Sequence, residues 1–325
     1  MQSTPAVSII ICTRNRFTDL RNTLDSLAAV RVPNDLPCEL LIVDNGSTDA
    51  TRQVVQSSHL PSLQVRYLYE PQPGQSRARN LGLAEARGKV IVFTDDDVRP
   101  PPDWICRMTA PILSASGQAV AGGVRIAAHL HRDWMSTMHR SWLASTEYIK
   151  RGAPDKLVGA NMAFSRSVLQ NVPGFDVRLG PGALGYGDDT FFAFQLLAQG
   201  LRIVDALDVV VEHRFDPSRL LRPNWLRMAK NMGRTRAYIA YHWEKCDISG
   251  EWKQLLLTKF RLAAWRIRHH QDTLPREGLP DWELKMQQDV GFWQQICREK
   301  GRPRRYSDRV LGSACNKRAG ESETL

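Results

Sequence analysis

Three consecutive carboxylates placed directly after an apolar run constrain this chain more than any other feature. Lys89-Val90-Ile91-Val92-Phe93 leads through Thr94 into Asp95-Asp96-Asp97. The run has the composition of a strand buried on both faces, so the acids fall at its carboxyl end. Side by side they repel one another and lose hydration, and a nearby cation compensates for both. In an extended segment residues i and i+2 share a side. The spacing therefore predicts Asp95 and Asp97 facing one ligand position, with Asp96 turned elsewhere. Hard oxygen ligands suit Mg²⁺ or Mn²⁺, which commonly bridge protein carboxylates to substrate phosphates. The competing interpretation is a solvated acidic turn.

The flanking pattern supplies a fold. Val7–Ile11 is a β-branched run, followed by Thr13-Arg14-Asn15 and then Phe17, Leu20, Leu24 and Leu27 at helical spacing. Glu39–Val43 is a second strand, ending at Asp44 in the turn Asp44-Asn45-Gly46-Ser47-Thr48-Asp49. A third strand is predicted at Val65–Tyr69 and a helix from Gln75 through Arg79 to Ala86. Strand and helix in alternation predict an α/β fold with a mostly parallel sheet covered on both faces. Ligands in such sheets collect at the carboxyl ends of strands, where Asp44 and Asp95–Asp97 lie. Asp44 suits a ribose or base edge, or a plain turn-capping role. No GxGxxG separates the first strand from its helix, which argues strongly against a nicotinamide enzyme.

The second half offers two further candidates. Gly180, Gly182, Gly185 and Gly187 form a glycine-rich loop, a candidate lid, ahead of Asp188-Asp189 and a predicted helix. A helix N-terminus favours a charged carboxylate, so an acid there suits a general base as well as an N-cap. His213 closes the apolar run Val209–Val211, where it can serve as a third metal ligand or as a core histidine. Beyond residue 216 only helices are predicted, at Asn224–Glu244, Trp252–His270 and Asp281–Lys300. The sequence thus divides into 1–99, 100–216 and a helical extension, 217–325.

Composition narrows the classes. Of 325 residues 42% are hydrophobic and 24% charged, the balance of a globular chain. Six scattered cysteines without a CxxC pair fit a reduced compartment and no structural zinc. No run approaches a membrane span, and the N-terminus lacks the charged and apolar regions of a signal peptide, so a cytoplasmic location is expected. A net charge of +10 is compatible with nucleic acid, an anionic membrane or phosphorylated substrates, but no compact nucleic-acid recognition motif accompanies it. Within 252–270, Leu256, Phe260, Ala263, Ala264 and Ile267 recur at helical spacing among Lys253, Lys259, Arg261, Arg266 and Arg268. Such a helix can lie on anionic lipid or cap the rest of the protein.

Taken in order, VSIIICTRNR, LIVDNGSTD, PGQSRARNLGLAEARG, VIVFTDDD, GANMAFSRSVLQNVPGFD and GYGDD resemble the family 2 glycosyltransferases, across about residues 6–215. The resemblance implies a GT-A nucleotide-sugar-binding fold and a metal-dependent, inverting transfer from a nucleoside-diphosphate sugar, with UDP the commonest carrier. It implies a sugar, lipid-linked or small-molecule acceptor and a place in glycan, glycolipid or cell-surface polysaccharide synthesis. It assigns Thr13, Arg14 and Asp44 to the nucleoside pocket and Arg79 to the neighbourhood of the nucleotide. Asp97 becomes the direct metal ligand, with Asp95 on ribose or water and His213 an added ligand. The acidic middle position allows the assignment to slip by one, which brings Asp96 into the donor site. Gly159 and Asn161 are implied on the sugar and acceptor side, and Asp189 as the base. The usual Glu-Asp pair is Asp188-Asp189 here, so Asp188 remains an alternative base. The absence of QxxRW and of flanking membrane spans points away from a processive synthase. A sugar-1-phosphate nucleotidyltransferase and a non-catalytic nucleotide-sugar-binding protein are the competing interpretations.

Overall fold

The computed structural model describes residues 4–273 and 276–306. These fall into two compact units. One comprises 4–132, 139–183 and 188–215; the other comprises 133–138, 184–187 and the described chain from 216 onward. The short segments 133–138 and 184–187, which sequence places in the 100–216 half, group with the helical unit.

The elements run β1 Val7–Thr13, α1 Phe17–Leu27, β2 Cys38–Asp44, α2 Thr51–Ser57, β3 Gln64–Tyr69, α3 Gln75–Glu85, β4 Val90–Asp95 and β5 Val98–Arg99. They continue with α4 Trp104–Leu113, β6 Ala119–Ile126, α5 Thr137–Trp142, β7 Asn161–Ser165, α6 Asp188–Ala198 and β8 Ile203–His213. The strands form one sheet in the order β3-β2-β1-β4-β7-β6-β8-β5. β1 pairs in parallel with β2 and β4, β2 with β3, and β6 with β8, while β7 and β5 run antiparallel to their neighbours. The mostly parallel α/β sheet expected from sequence is present.

Alternation along β1 explains why the sheet is covered twice. Ile9 and Ile11 pack with Leu20 and Leu24 of α1, whereas Ile10 packs with Ala78 and Leu83 of α3. All three isoleucines are fully buried, each contributing about 1.5–3 kcal/mol. The register aligns the strand ends that matter. Thr13 lies opposite Asp44, and Cys12 opposite Asp95, so three carboxyl termini finish at one edge. On the far side the β6–β8 ladder slips between Gly122 and Gly123. A Cβ on Gly122 would collide with the Asn161 amide, and one on Gly123 with the Leu207 carbonyl.

The second unit contains α7 Arg222–His242, α8 Glu251–Arg268 and α9 Asp281–Glu299. α7 and α9 cross where Gly233 meets the backbone of Gln288 and Gly291 meets that of Lys230, an approach that leaves no room for side chains. Glu283, fully buried on α9, binds Arg222 and Arg266. α8 packs through Leu255 and Leu262 against Val290 of α9. The Leu256–Ile267 stripe is therefore not the face packed on α9: Leu256, Phe260, Ala263, Ala264 and Ile267 are all exposed.

Candidate active site

The acidic segment does not stay extended. β4 ends at Asp95, the chain turns through Asp96 and Asp97, and β5 begins at Val98. The i, i+2 alternation expected from sequence therefore fails. Asp96 and Asp97 instead share the fork of one guanidinium: Arg16 Nη1 lies 2.7 Å from Asp96 Oδ1 and Nη2 2.7 Å from Asp97 Oδ2. Thr13 Oγ1 donates to Asp96 Oδ2 at 2.7 Å. Asp96 is thus directed into the protein, and Thr13 orients it. Asp95 is the most open of the three acids, 27% exposed, with Arg79 Nη2 3.9 Å from its Oδ1.

Charge explains the balance. Burial pushes the Asp95 carboxyl above its usual range, and Asp97 adds to this, while Arg79 and His213 oppose it. Burial pushes Asp96 up to about 7 despite Arg16. Burial disfavours the charge on Arg16, but Asp96 and Asp97 outweigh it and push the guanidinium pKa up.

His213 brings a nitrogen to this cluster. Its Nδ1 lies 2.9 Å from the Leu143 carbonyl oxygen, which can only accept, so Nδ1 carries the hydrogen. Nε2 faces Asp97 Oδ1 at 3.3 Å. With Nδ1 tied to a carbonyl, Nε2 is the ring nitrogen turned toward the acids, the orientation of a metal-ligating imidazole. Among the described residues no group of three or more His, Cys, Asp and Glu side chains is arranged to hold a metal unaided. The donor set nevertheless fits a hard divalent cation. The carboxylates of Asp95 and Asp97 with one imidazole nitrogen are donors of that kind, and would leave positions for substrate oxygens.

Arg79 connects this cluster to the acids of α6. Nη1 lies 2.6 Å from Asp188 Oδ2, and the guanidinium sits over the rings of Phe93 and Phe175 at 5.8 and 5.3 Å. Gly159 is what admits it: a Cβ there would overlap the guanidinium. The Gly159 N–H in turn donates to Asp189 Oδ2 at 2.8 Å. Asp189 Oδ1 accepts from the Thr190 N–H at 2.7 Å. The two adjacent acids are therefore unlike. Asp188 is buried in an ion pair, and Asp189 is partly open. The expectation that the helix N-terminus dominates does not hold at Asp189. Burial pushes its carboxyl up, Asp188 adds to this, and Arg79 and the two N–H groups only partly offset them.

Other expected residues are placed differently. Asn161 is fully buried; its Nδ2 donates to the carbonyls of Gly123 and Val209, both at 2.8 Å, and its Oδ1 accepts from Trp104 Nε1 at 2.9 Å. Its hydrogen-bonding capacity is committed to joining strands, so it does not line an acceptor surface. Gly159 likewise serves Arg79 and Asp189. Arg14 is exposed, while Arg16, not singled out by sequence, lies beside the acids. Asn15 between them has φ 53°, a left-handed turn that asparagine tolerates. That turn redirects the chain, and only the presence of two arginines in TRNR hinted at it. Asp44 is buried, accepting from Ser47 N at 2.8 Å and from Tyr67 Oη at 2.7 Å. Its backbone position at the strand edge matches expectation, while its carboxylate also closes the turn. Gly180 and Gly182 have φ of 82° and 87°, and a Cβ on Gly180 would lie 2.9 Å from Asp188 Cγ.

The family model described as Glycosyl transferase family 2 matches residues 8–172, just over half of the chain. The chain belongs to glycosyl transferase family 2. It is 25% identical over 235 residues to Glycosyltransferase AglE of Haloferax volcanii, a match covering 70% of this chain and 72% of the relative. Other curated relatives are matched over 12% to 56% of their own length. The fold is similar to that of the mannosyltransferase PcManGT from Pyrobaculum calidifontis, solved with GDP-Man and Mn²⁺. The TM-score is 0.60 at 21% identity, covering 92% of this chain and 89% of that one. It also resembles S. aureus TarS residues 1–349 in complex with UDP-GlcNAc, with a TM-score of 0.50 at 19% identity, covering 83% and 76%. The protein is a glycosyltransferase with a GT-A fold, and its matched region contains the acidic turn, Arg16 and Arg79.

Proposed function

We propose that this glycosyltransferase moves a sugar from a nucleoside-diphosphate sugar to an acceptor hydroxyl with inversion, in glycan or polysaccharide synthesis. The observation that carries the reading is Arg79. It stands between Asp95, the open member of the acidic turn, and the Asp188-Asp189 pair. A donor diphosphate beside Asp95 would find positive charge in Arg79, and an acceptor hydroxyl beside Asp189 would find a carboxylate lifted by burial. Asp95, Asp97 and His213 would hold Mn²⁺ or Mg²⁺, which supplies charge neutralisation for a departing diphosphate. Asp44 and Thr13 sit at the strand edge where a nucleoside would lie; UDP and GDP carriers both have precedent in the structural relatives.

Asp189 is the better base of the two. Asp188 is committed to Arg79 at 2.6 Å and buried, whereas Asp189 keeps lone pairs beyond its two backbone bonds. Removing the hydroxyl proton as the anomeric carbon is attacked leaves the nucleoside diphosphate departing on the opposite face. The test is Asp189→Asn. Donor binding should persist while transfer falls by about 10³-fold or more. Transfer at a normal rate would remove Asp189 from the role. Release of a nucleoside diphosphate, and not pyrophosphate, separates this reading from a nucleotidyltransferase.

A further inference from the structure

Among the described residues, six of the ten exposed large hydrophobic side chains lie on one helix, α8: Trp252, Leu256, Leu257, Phe260, Trp265 and Ile267. Four of them are far more exposed than packing would leave them, at 64% for Trp252, 66% for Leu256, 74% for Phe260 and 81% for Ile267. At about 100° per residue these four and Ala263 fall within an arc of about 80°. They form one continuous stripe along a helix about 27 Å long. A stripe of this kind on a monomer marks an interaction surface.

A different side of the helix is anchored. Leu255 and Leu262 are buried against α9, Arg266 binds Glu283 at 2.6 Å, and Glu251 binds Lys300 at 2.6 Å. The stripe is therefore the outer face of a packed helix.

Charge identifies the occupant. Lys253 and Lys259 flank the stripe and Arg261 and Arg268 lie further round the exposed surface of the helix, and among the described residues none has a carboxylate within ion-pair distance. The only acid on α8 is Glu251, which is buried and paired. The exposed face thus combines large apolar groups with cations alone. Two copies meeting through this face would bring like charges together. Five positive side chains on the helix, with charged residues through its length, also prevent it from crossing a bilayer, and no described helix is long and apolar enough to do so. A bilayer with anionic headgroups meets both requirements at once: apolar side chains enter the acyl boundary while lysines and arginines pair with phosphates. Tryptophan at Trp252, at one end of the stripe, suits the headgroup level.

We propose that α8 lies flat on anionic lipid, with Trp252, Leu256, Phe260 and Ile267 inserted. This goes beyond the catalytic reading and does not depend on it. The test is co-sedimentation of the full chain with vesicles of phosphatidylcholine alone and of equal parts phosphatidylcholine and phosphatidylglycerol. Binding is expected to the mixed vesicles, weakened by high salt. Phe260→Ser with Ile267→Ser should weaken it by about a hundredfold, and Lys259→Glu with Arg261→Glu by about tenfold or more, with circular dichroism unchanged. Three results would overturn the proposal: no sedimentation at low salt, equal binding to both vesicles, or binding untouched by the serine variant. A concentration-dependent dimer that the serine variant abolishes, without vesicle binding, would assign the face to a second copy and also overturn it. No donor or acceptor is needed, so failure here leaves the transfer reaction standing.

Discussion

Gly159→Ala isolates the contact on which the site's electrostatics rest. Gly159 is not in the left-handed region, so alanine brings no backbone strain. Its Cβ would however lie 2.8 Å from the Arg79 guanidinium carbon and overlap Nη2. Two adjustments are open. Arg79 can withdraw, breaking a buried ion pair of 2.6 Å with Asp188; leaving that charge uncompensated costs about 3–5 kcal/mol. Alternatively the Gly159 backbone can move and lose its N–H bond to Asp189, worth about 1.5–3 kcal/mol as a bond to a charged group. The cheaper route sets the lower bound. For a unit of this size it corresponds to a fall in Tm of about 3 °C or more. Either route disturbs an acid of α6, so transfer should fall more than stability. Thermal denaturation and initial rates, measured beside a Val158→Ala control, provide the comparison. A Gly159→Ala protein with unchanged Tm and full transfer would refute the claim that this glycine exists to admit Arg79.

Three further outcomes are expected. Because burial raises Asp189, the acid limb of the transfer–pH profile should lie above the usual carboxylate value of about 4. Activity is lost as pH falls through that raised pKa, and a limb at or below about 4 would contradict the assignment. Asn161→Ala removes one acceptor and two donors at fully buried strands, so a loss of about 3 kcal/mol or more is expected by denaturant unfolding, with acceptor KM unchanged where the protein stays folded. Arg16→Met strips two buried carboxylates of their shared cation and should destabilise by about 3–5 kcal/mol, whereas Arg14→Met, at an exposed position, should cost under about 0.5 kcal/mol.

The sheet was legible because its strands are buried on both faces. Val7–Ile11, Glu39–Val43 and Lys89–Phe93 leave no polar side chain pattern that a helix would need, and each is a strand or lies almost wholly within one. The edge position of Asp44 and Asp95 followed from that alone. What sequence did not contain was the path of the backbone between strands. The turn at Asp96 and the left-handed Asn15 decide which acids share a cation and which arginine supplies it. Asp188 and Asp189 look alike in sequence and differ only because Arg79, more than a hundred residues earlier, reaches one of them. Asn161 looks like a site residue until its three long-range bonds are seen. On α8 the amphipathic spacing was visible, but the choice of packed face is made by α9.

The central claim is that a divalent cation and the acids ending β4 together hold the donor's diphosphate. Calorimetric titration of UDP and GDP, with Mn²⁺ and with chelator, into the wild type and Asp95→Asn measures it directly. Binding that requires Mn²⁺ and weakens about tenfold or more in the variant is expected. Equal affinity in chelator, or an Asp95→Asn protein that binds like the wild type, would contradict it.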